Sequence, residues 1–160
     1  MKDKGNDGKG NNPERDLWET KQELFNLLNK QYNFKFDCCA LDSNKKCEMY
    51  SNNFKEVYAD IWLPSWMNPP FSLAYEMFEH FFKVVHKGVA IYRCDNMETR
   101  VWQEIILKNA DWVFIPKGRI SYEGKEGKGS RFPSALIGVG LEPPKELEGH
   151  ILYKIKEAGQ

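Results

Sequence analysis

Residues 61–93, IWLPSWMNPPFSLAYEMFEHFFKVVHKGVAIYR, decide how the chain is built. They read as a short apolar strand at 61–63, a rigid corner at Asn68, Pro69, Pro70 and Phe71, a helix, and then a strand, GVAIYR. Ser72 is placed to cap the helix. Leu73, Met77, Phe78, Phe81, Phe82 and Val85 fall on one broad apolar face, and Gly88 ends it.

The same alternation of helix and strand continues on both sides. Upstream, Thr20 and Glu23 have the spacing of a capping box, and Leu24, Leu27, Leu28 and Gln31 share one stripe of the helix that follows. NFKFDCCA then reads as a buried strand over 34–39, and the Asn- and Lys-rich stretch 41–60 shows no period beyond a helical turn at 44–49. Downstream, DNMETRVWQEIILKN reads as a helix capped by Asn96, and WVFI as a strand. GRISYE, SALIGVG and HILYKI are further strands, joined by a Gly-, Lys- and Glu-rich loop. The expected fold is an α/β sheet with helices on both faces and antiparallel C-terminal strands. Residues 1–13, MKDKGNDGKGNNP, have nothing to bury and are expected to form a disordered arm, leaving 14–160 as a single domain.

Composition narrows the function. The chain has 160 residues, 41% of them hydrophobic, enough for a genuine core. Basic and acidic residues number 23 each, so a charged partner has to be met by a local patch rather than a global field. No apolar run approaches a bilayer span and the N-terminus is unlike a signal peptide, which points to a soluble protein of the cytoplasm with no membrane partner. Cys38, Cys39, Cys47 and Cys94 lack the spacing of a disulfide framework or a zinc site, so they read as small buried hydrophobes and no metal is expected. His80, His86 and His150 fall in surface-like settings with no catalytic company.

The corner has chemistry of its own. A residue before proline is pushed into extended backbone, which holds the Asn68 side chain off the sheet edge. Proline offers a carbonyl but no N–H, so the Asn68 oxygen and the Pro69 carbonyl make a pair of acceptors without a competing local donor. Such a pair suits an amine, and the ring of Phe71 could stack on a heteroaromatic group carrying it. The alternative is that the diproline only ends a strand and starts a helix, with Phe71 packed into the core. In open α/β sheets ligands bind beyond the carboxyl ends of the strands, which makes 37–40, 68–71 and 93–95 the candidate sites.

The order DLWETKQELFNLLNKQYNFKFDCCALDSNKKCEMY followed by WMNPPF resembles the phage-type DNA N-6-adenine methyltransferases. Trp18 and Thr20, Phe36 and Asp37, Asn44 with Lys46 and Cys47, and Asn68, Pro69, Pro70 and Phe71 carry the likeness, with GRISYEG and PSALIGVG similar to the closing strands. It covers roughly residues 16–140. The resemblance implies a Rossmann-like class I methyltransferase domain that uses S-adenosylmethionine. Asn68, Pro69, Pro70 and Phe71 would then be catalytic, acting on a flipped adenine in DNA, and Trp18, Thr20, Asp37 and Ala40 would line the donor pocket. DCCALDS stands where the wider class more often has a Gly-rich loop, so the backbone approach to the donor differs here.

DNA would meet the stretch 117–131, whose five basic and two acidic residues give it a local charge of +3. Lys125, Lys128 and Arg131 are the candidate phosphate contacts there, with the Lys-containing arm beside them. The same amine chemistry serves RNA adenine, cytosine or a protein glutamine, and a non-catalytic nucleic-acid-binding protein with a degenerate methyltransferase fold is the reading from another class.

Overall fold

The computed structural model describes residues 19–123 and 129–153. The 1–13 arm, Trp18, Lys125 and Lys128 lie outside the described residues. Strand β1 (Glu19–Thr20) leads into helix α1 (Gln22–Tyr32), followed by short strands β2 (Phe36–Asp37), β3 (Met49–Tyr50) and β4 (Ser65–Met67). A 3-10 turn at Phe71–Leu73 precedes helix α2 (Ala74–Val84) and strand β5 (Gly88–Arg93). A π-helical segment, Val101–Ile106, runs into α3 (Leu107–Asn109). Strands β6 (Trp112–Pro116), β7 (Ile120–Glu123), β8 (Gly129–Phe132), β9 (Ser134–Val139) and β10 (Gly149–Tyr153) complete the order.

Seven strands form one mixed sheet in the order β10-β6-β9-β5-β4-β2-β3, and β1, β7 and β8 form a second, three-stranded sheet. Strands β3, β2, β4 and β5 are parallel, whereas β9 is antiparallel to both β5 and β6, and β10 is antiparallel to β6. The centre of the sheet explains the unbroken apolar run of β5, in which every residue is buried. Val89 and Ile91 pack with Phe25 and Leu28 of α1, whereas Ala90 and Tyr92 pack with Phe78 and Phe81 of α2 and with Trp102. Neighbouring strand residues point to opposite faces, so α1 covers one face and α2 with the π-helical segment covers the other. Met77, Phe78, Phe81 and Val84 anchor α2, each burial contributing roughly 1.5–3 kcal/mol. No helix among the described residues is long and apolar enough to cross a membrane.

Several expected boundaries move, each for an identifiable reason. The strand read at 61–63 lies instead at Ser65–Met67, and Ile61 makes only an isolated bridge to Val85. Trp62 and Leu63 are exposed, and the Pro64 carbonyl, accepting from Lys35 N at 2.7 Å, opens the true strand. The N-cap position of α2 falls at Leu73 rather than Ser72, and the turn before it closes on the Pro70 carbonyl, which accepts from Leu73 N at 3.0 Å. Thr20 is no capping residue either: α1 starts after Lys21, and Thr20 is drawn into β1 opposite Tyr122. The strand expected over 34–39 shortens to Phe36–Asp37, the stretch 44–49 ends in β3, and the helix after Asn96 begins only at Val101.

Candidate active site

Because β2, β4 and β5 are parallel, their carboxyl ends share one edge of the sheet, and Asp37, Asn68 and Arg93 stand there together. A cavity of about 480 Å³ opens at this edge. Thr20, Asp37, Ala40, Asn68 and Pro70 line it, so three segments far apart in the chain contribute. Its size lies within the usual range for a small-molecule site.

Two oxygens give the cavity a polar end. Thr20 is 1% exposed and its Oγ1 has no hydrogen-bond partner among the described residues. Asp37 is 3% exposed; its Oδ2 accepts from Lys46 N at 2.9 Å, while no hydrogen-bond geometry closes on Oδ1 although the Cys39 N–H lies near enough to favour the charge. Burial pushes the Asp37 carboxyl up to about 6, against the opposing pull of the Lys46 and Cys39 N–H groups and the Lys46 charge. Buried acceptors without donors are costly, and they fit a ligand that brings donors or positive charge. Ala40, buried on the lining, donates its N–H to Ser51 O at 2.9 Å.

The lining also has apolar members, among them Phe54, Leu73 and Met77. Phe54, Asn52 and Asn53 escaped the sequence reading because 41–60 carries no hydrophobic period; an aromatic residue isolated in a polar stretch was the available signal. Glu19 was also missed, and its Oε1 accepts from Asn44 Nδ2 at 3.4 Å on the cavity wall.

The corner divides its residues. Asn68, half-buried, faces the cavity with Pro70, whereas Pro69 is buried. Phe71 is 6% exposed and does not line the cavity. Tyr92, Tyr122 and Phe132 meet it edge-on at centroid distances of 5.9, 6.4 and 5.6 Å. Phe71 thus packs among these rings and is not on the cavity lining.

At the third candidate site, 93–95, Arg93 and Asp95 pair with each other: Arg93 Nε donates to Asp95 Oδ1 at 2.7 Å and Nη2 to Oδ2 at 2.6 Å. Of the candidate phosphate contacts, only the backbone of Arg131 falls within the described residues, in β8 opposite Ser121. Strand β6 is parallel to β5, so the segment that leads from it to β7 leaves from the same edge as the cavity. Lys117 there pairs with Glu148 at 3.5 Å, and Arg119 is exposed. Burial pushes the Cys38 and Cys47 thiols up, Cys47 to about 12, which keeps them protonated at neutral pH. Among the described residues no three His, Cys, Asp or Glu side chains gather in a metal-binding group.

A sequence-family model described as DNA N-6-adenine-methyltransferase (Dam) matches residues 7–136. A curated relative, the DNA N-6-adenine-methyltransferase of Haemophilus phage HP1 (strain HP1c1), is 26% identical over 163 residues, covering 91% of this chain and 92% of its own length.

Proposed function

The chain belongs to the DNA N-6-adenine-methyltransferase family, and from that premise we propose that it transfers a methyl group from S-adenosylmethionine to the exocyclic amine of an adenine flipped out of DNA. The observation that carries this reading is that Asn68 lines the same cavity as the buried, under-satisfied oxygens of Thr20 and Asp37. The parallel β3-β2-β4-β5 block with helices on both faces supports a Rossmann-like arrangement of the class I methyltransferases.

Thr20, Asp37 and Ala40 would hold the donor, and Trp18, outside the described residues, joins them on the family likeness alone. Phe54 and Met77 supply its apolar wall. S-adenosylmethionine, when bound, supplies a methyl group already activated on a sulfonium. The protein's task is then to aim the amine. Adenine N6 is a weak nucleophile because its lone pair is delocalised into the ring. The Asn68 oxygen on the cavity lining and the carbonyl of the buried Pro69 next to it would accept its two hydrogens, draw the lone pair back to nitrogen and aim it at the methyl group. The N–C bond would form as the donor's S–CH3 bond breaks, its electron pair returning to sulfur as a neutral thioether, and the cationic nitrogen would release its proton to water, so no histidine base is required. Orientation of this kind is a major source of rate in transfer reactions.

Incubation with isotopically labelled donor and separate DNA, RNA and protein substrates, followed by mass analysis, should find labelled N6-methyladenine in DNA alone. Failure of the folded protein to bind the donor by calorimetry would overturn the reading. Asp37→Asn should weaken donor binding while stabilising the fold. Because the folded pKa of Asp37 lies above its ordinary value of 3.8, its contribution to stability is full below that value and lost as pH rises through about 6. The neutral variant should therefore gain on the order of 1–3 kcal/mol over wild type at pH 7.5, with the gain fading towards pH 4, as read by denaturation across pH. Replacing Lys125, Lys128 and Arg131 together with Ala should weaken DNA binding and flatten its salt dependence, with donor affinity unchanged. An unchanged salt slope would move the DNA surface elsewhere.

A further inference from the structure

Arg93 ends β5 with its side chain 1% exposed, yet it carries a full charge. Its two-point fork on Asp95 fixes the plane of the guanidinium. That group lies over the rings of Phe71, at 5.7 Å, and Phe132, at 5.2 Å. Phe71 adjoins the Asn68 corner, and Phe132 ends β8, so one buried cation touches both the corner and the smaller sheet. The backbone carbonyl of Arg93 is itself pinned by Trp102 Nε1 at 3.1 Å. Asp95 stays 28% exposed and can reach solvent.

Stability alone does not call for this arrangement. Taking a guanidinium out of water is expensive, and buried ion pairs are often replaced by apolar groups of similar volume without loss of stability. What such a fork offers over an apolar filler is a single, fixed geometry. We infer that Arg93 is a positioning residue for the transfer reaction: through Asp95 it holds Phe71 and Phe132 in one arrangement and thereby sets where Asn68 presents its oxygen. This inference rests on the methyl-transfer reading. Arg93 is not among the residues that line the cavity and acts through Phe71.

The test compares wild type with Arg93→Met/Asp95→Asn, Arg93→Lys and Asp95→Asn. Thermal midpoint, donor affinity, single-turnover methylation of adenine-containing DNA, and amide exchange at 68–71 are measured on each. The double variant is expected to keep its midpoint and donor affinity while single-turnover methylation falls about a hundredfold, the size of loss that a misplacement of about 1 Å produces. Exchange at 68–71 should quicken, and Arg93→Lys, which keeps the charge but not the fork, should fail to restore the rate. A folded double variant that methylates within about twofold of wild type overturns the inference. Should the double variant not fold, Asp95→Asn decides, since its position is partly exposed: slowed methylation with intact donor binding supports the positioning role, and an unchanged rate overturns it. Wild type that binds donor but leaves DNA adenine unmethylated would sink the underlying reading instead, a result separate from any of these.

Discussion

Asn68→Ala is expected to slow single-turnover methylation of adenine by roughly a hundred- to thousandfold while donor affinity stays at the wild-type level. Asn68 lines the cavity directly after β4, in the extended backbone that a following proline enforces. Its removal would take away one of the two acceptors proposed for the amine hydrogens. In a preorganised site one such hydrogen bond is worth about 2.7 to 4 kcal/mol of barrier. The loss should appear in the transfer step rather than in donor binding, because the proposed donor contacts are Thr20 and Asp37 rather than Asn68. Rapid-quench methylation and calorimetry on the same protein separate the two. A folded Asn68→Ala protein that turns over like wild type would reduce the corner to a strand-to-helix connection.

Phe71→Ala is the second large effect, and it falls on the fold. The ring sits within an aromatic group of Tyr92, Tyr122 and Phe132, with the Arg93 guanidinium over its face. Truncating a buried phenylalanine typically costs about 3–5 kcal/mol, through lost burial and the cavity left behind. The variant should therefore show a clear drop in denaturation midpoint, and its methylation should fall with the disordered corner. Phe71→Leu keeps most of the volume and should lose less stability. A full-stability Phe71→Ala protein would contradict the buried placement and return the ring to the substrate side.

The two cases mark how far sequence reaches. The apolar runs GVAIYR and SALIGV, and the stripe of α2, foretold strands and helix where they occur, because a buried parallel sheet and an amphipathic helix each impose a local pattern. The NPPF corner and Asp37 were likewise legible, since a diproline and a lone acid on an apolar strand are local anomalies. The side of the corner on which Phe71 lands was not. A ring after two prolines can face a ligand or a core, and only the arrival of Tyr122 and Phe132 from the smaller sheet decides it. Thr20 shows the same limit. Its spacing to Glu23 is a sound capping signal, but pairing with Tyr122, distant in the chain, overrides it. The pairing of Arg93 with Asp95, two residues apart, was within reach of sequence, whereas the rings beneath it were not.

The pairing of Thr20 with Tyr122 also sets an order of assembly. About a hundred residues separate the two, and at roughly 5–20 residues per second a ribosome needs some seconds to deliver the second after the first. The equilibrium cost of so wide a closure is mild, growing by only about 0.6 kcal/mol per doubling of the loop. Its kinetic meaning is larger. The parallel block from β2 to β5 can gather while translation continues, but the wall of the cavity that Thr20 supplies waits for β7 to emerge. Competence to hold a ligand there is thus acquired late in synthesis, and a nascent chain with its central strands already paired still lacks it.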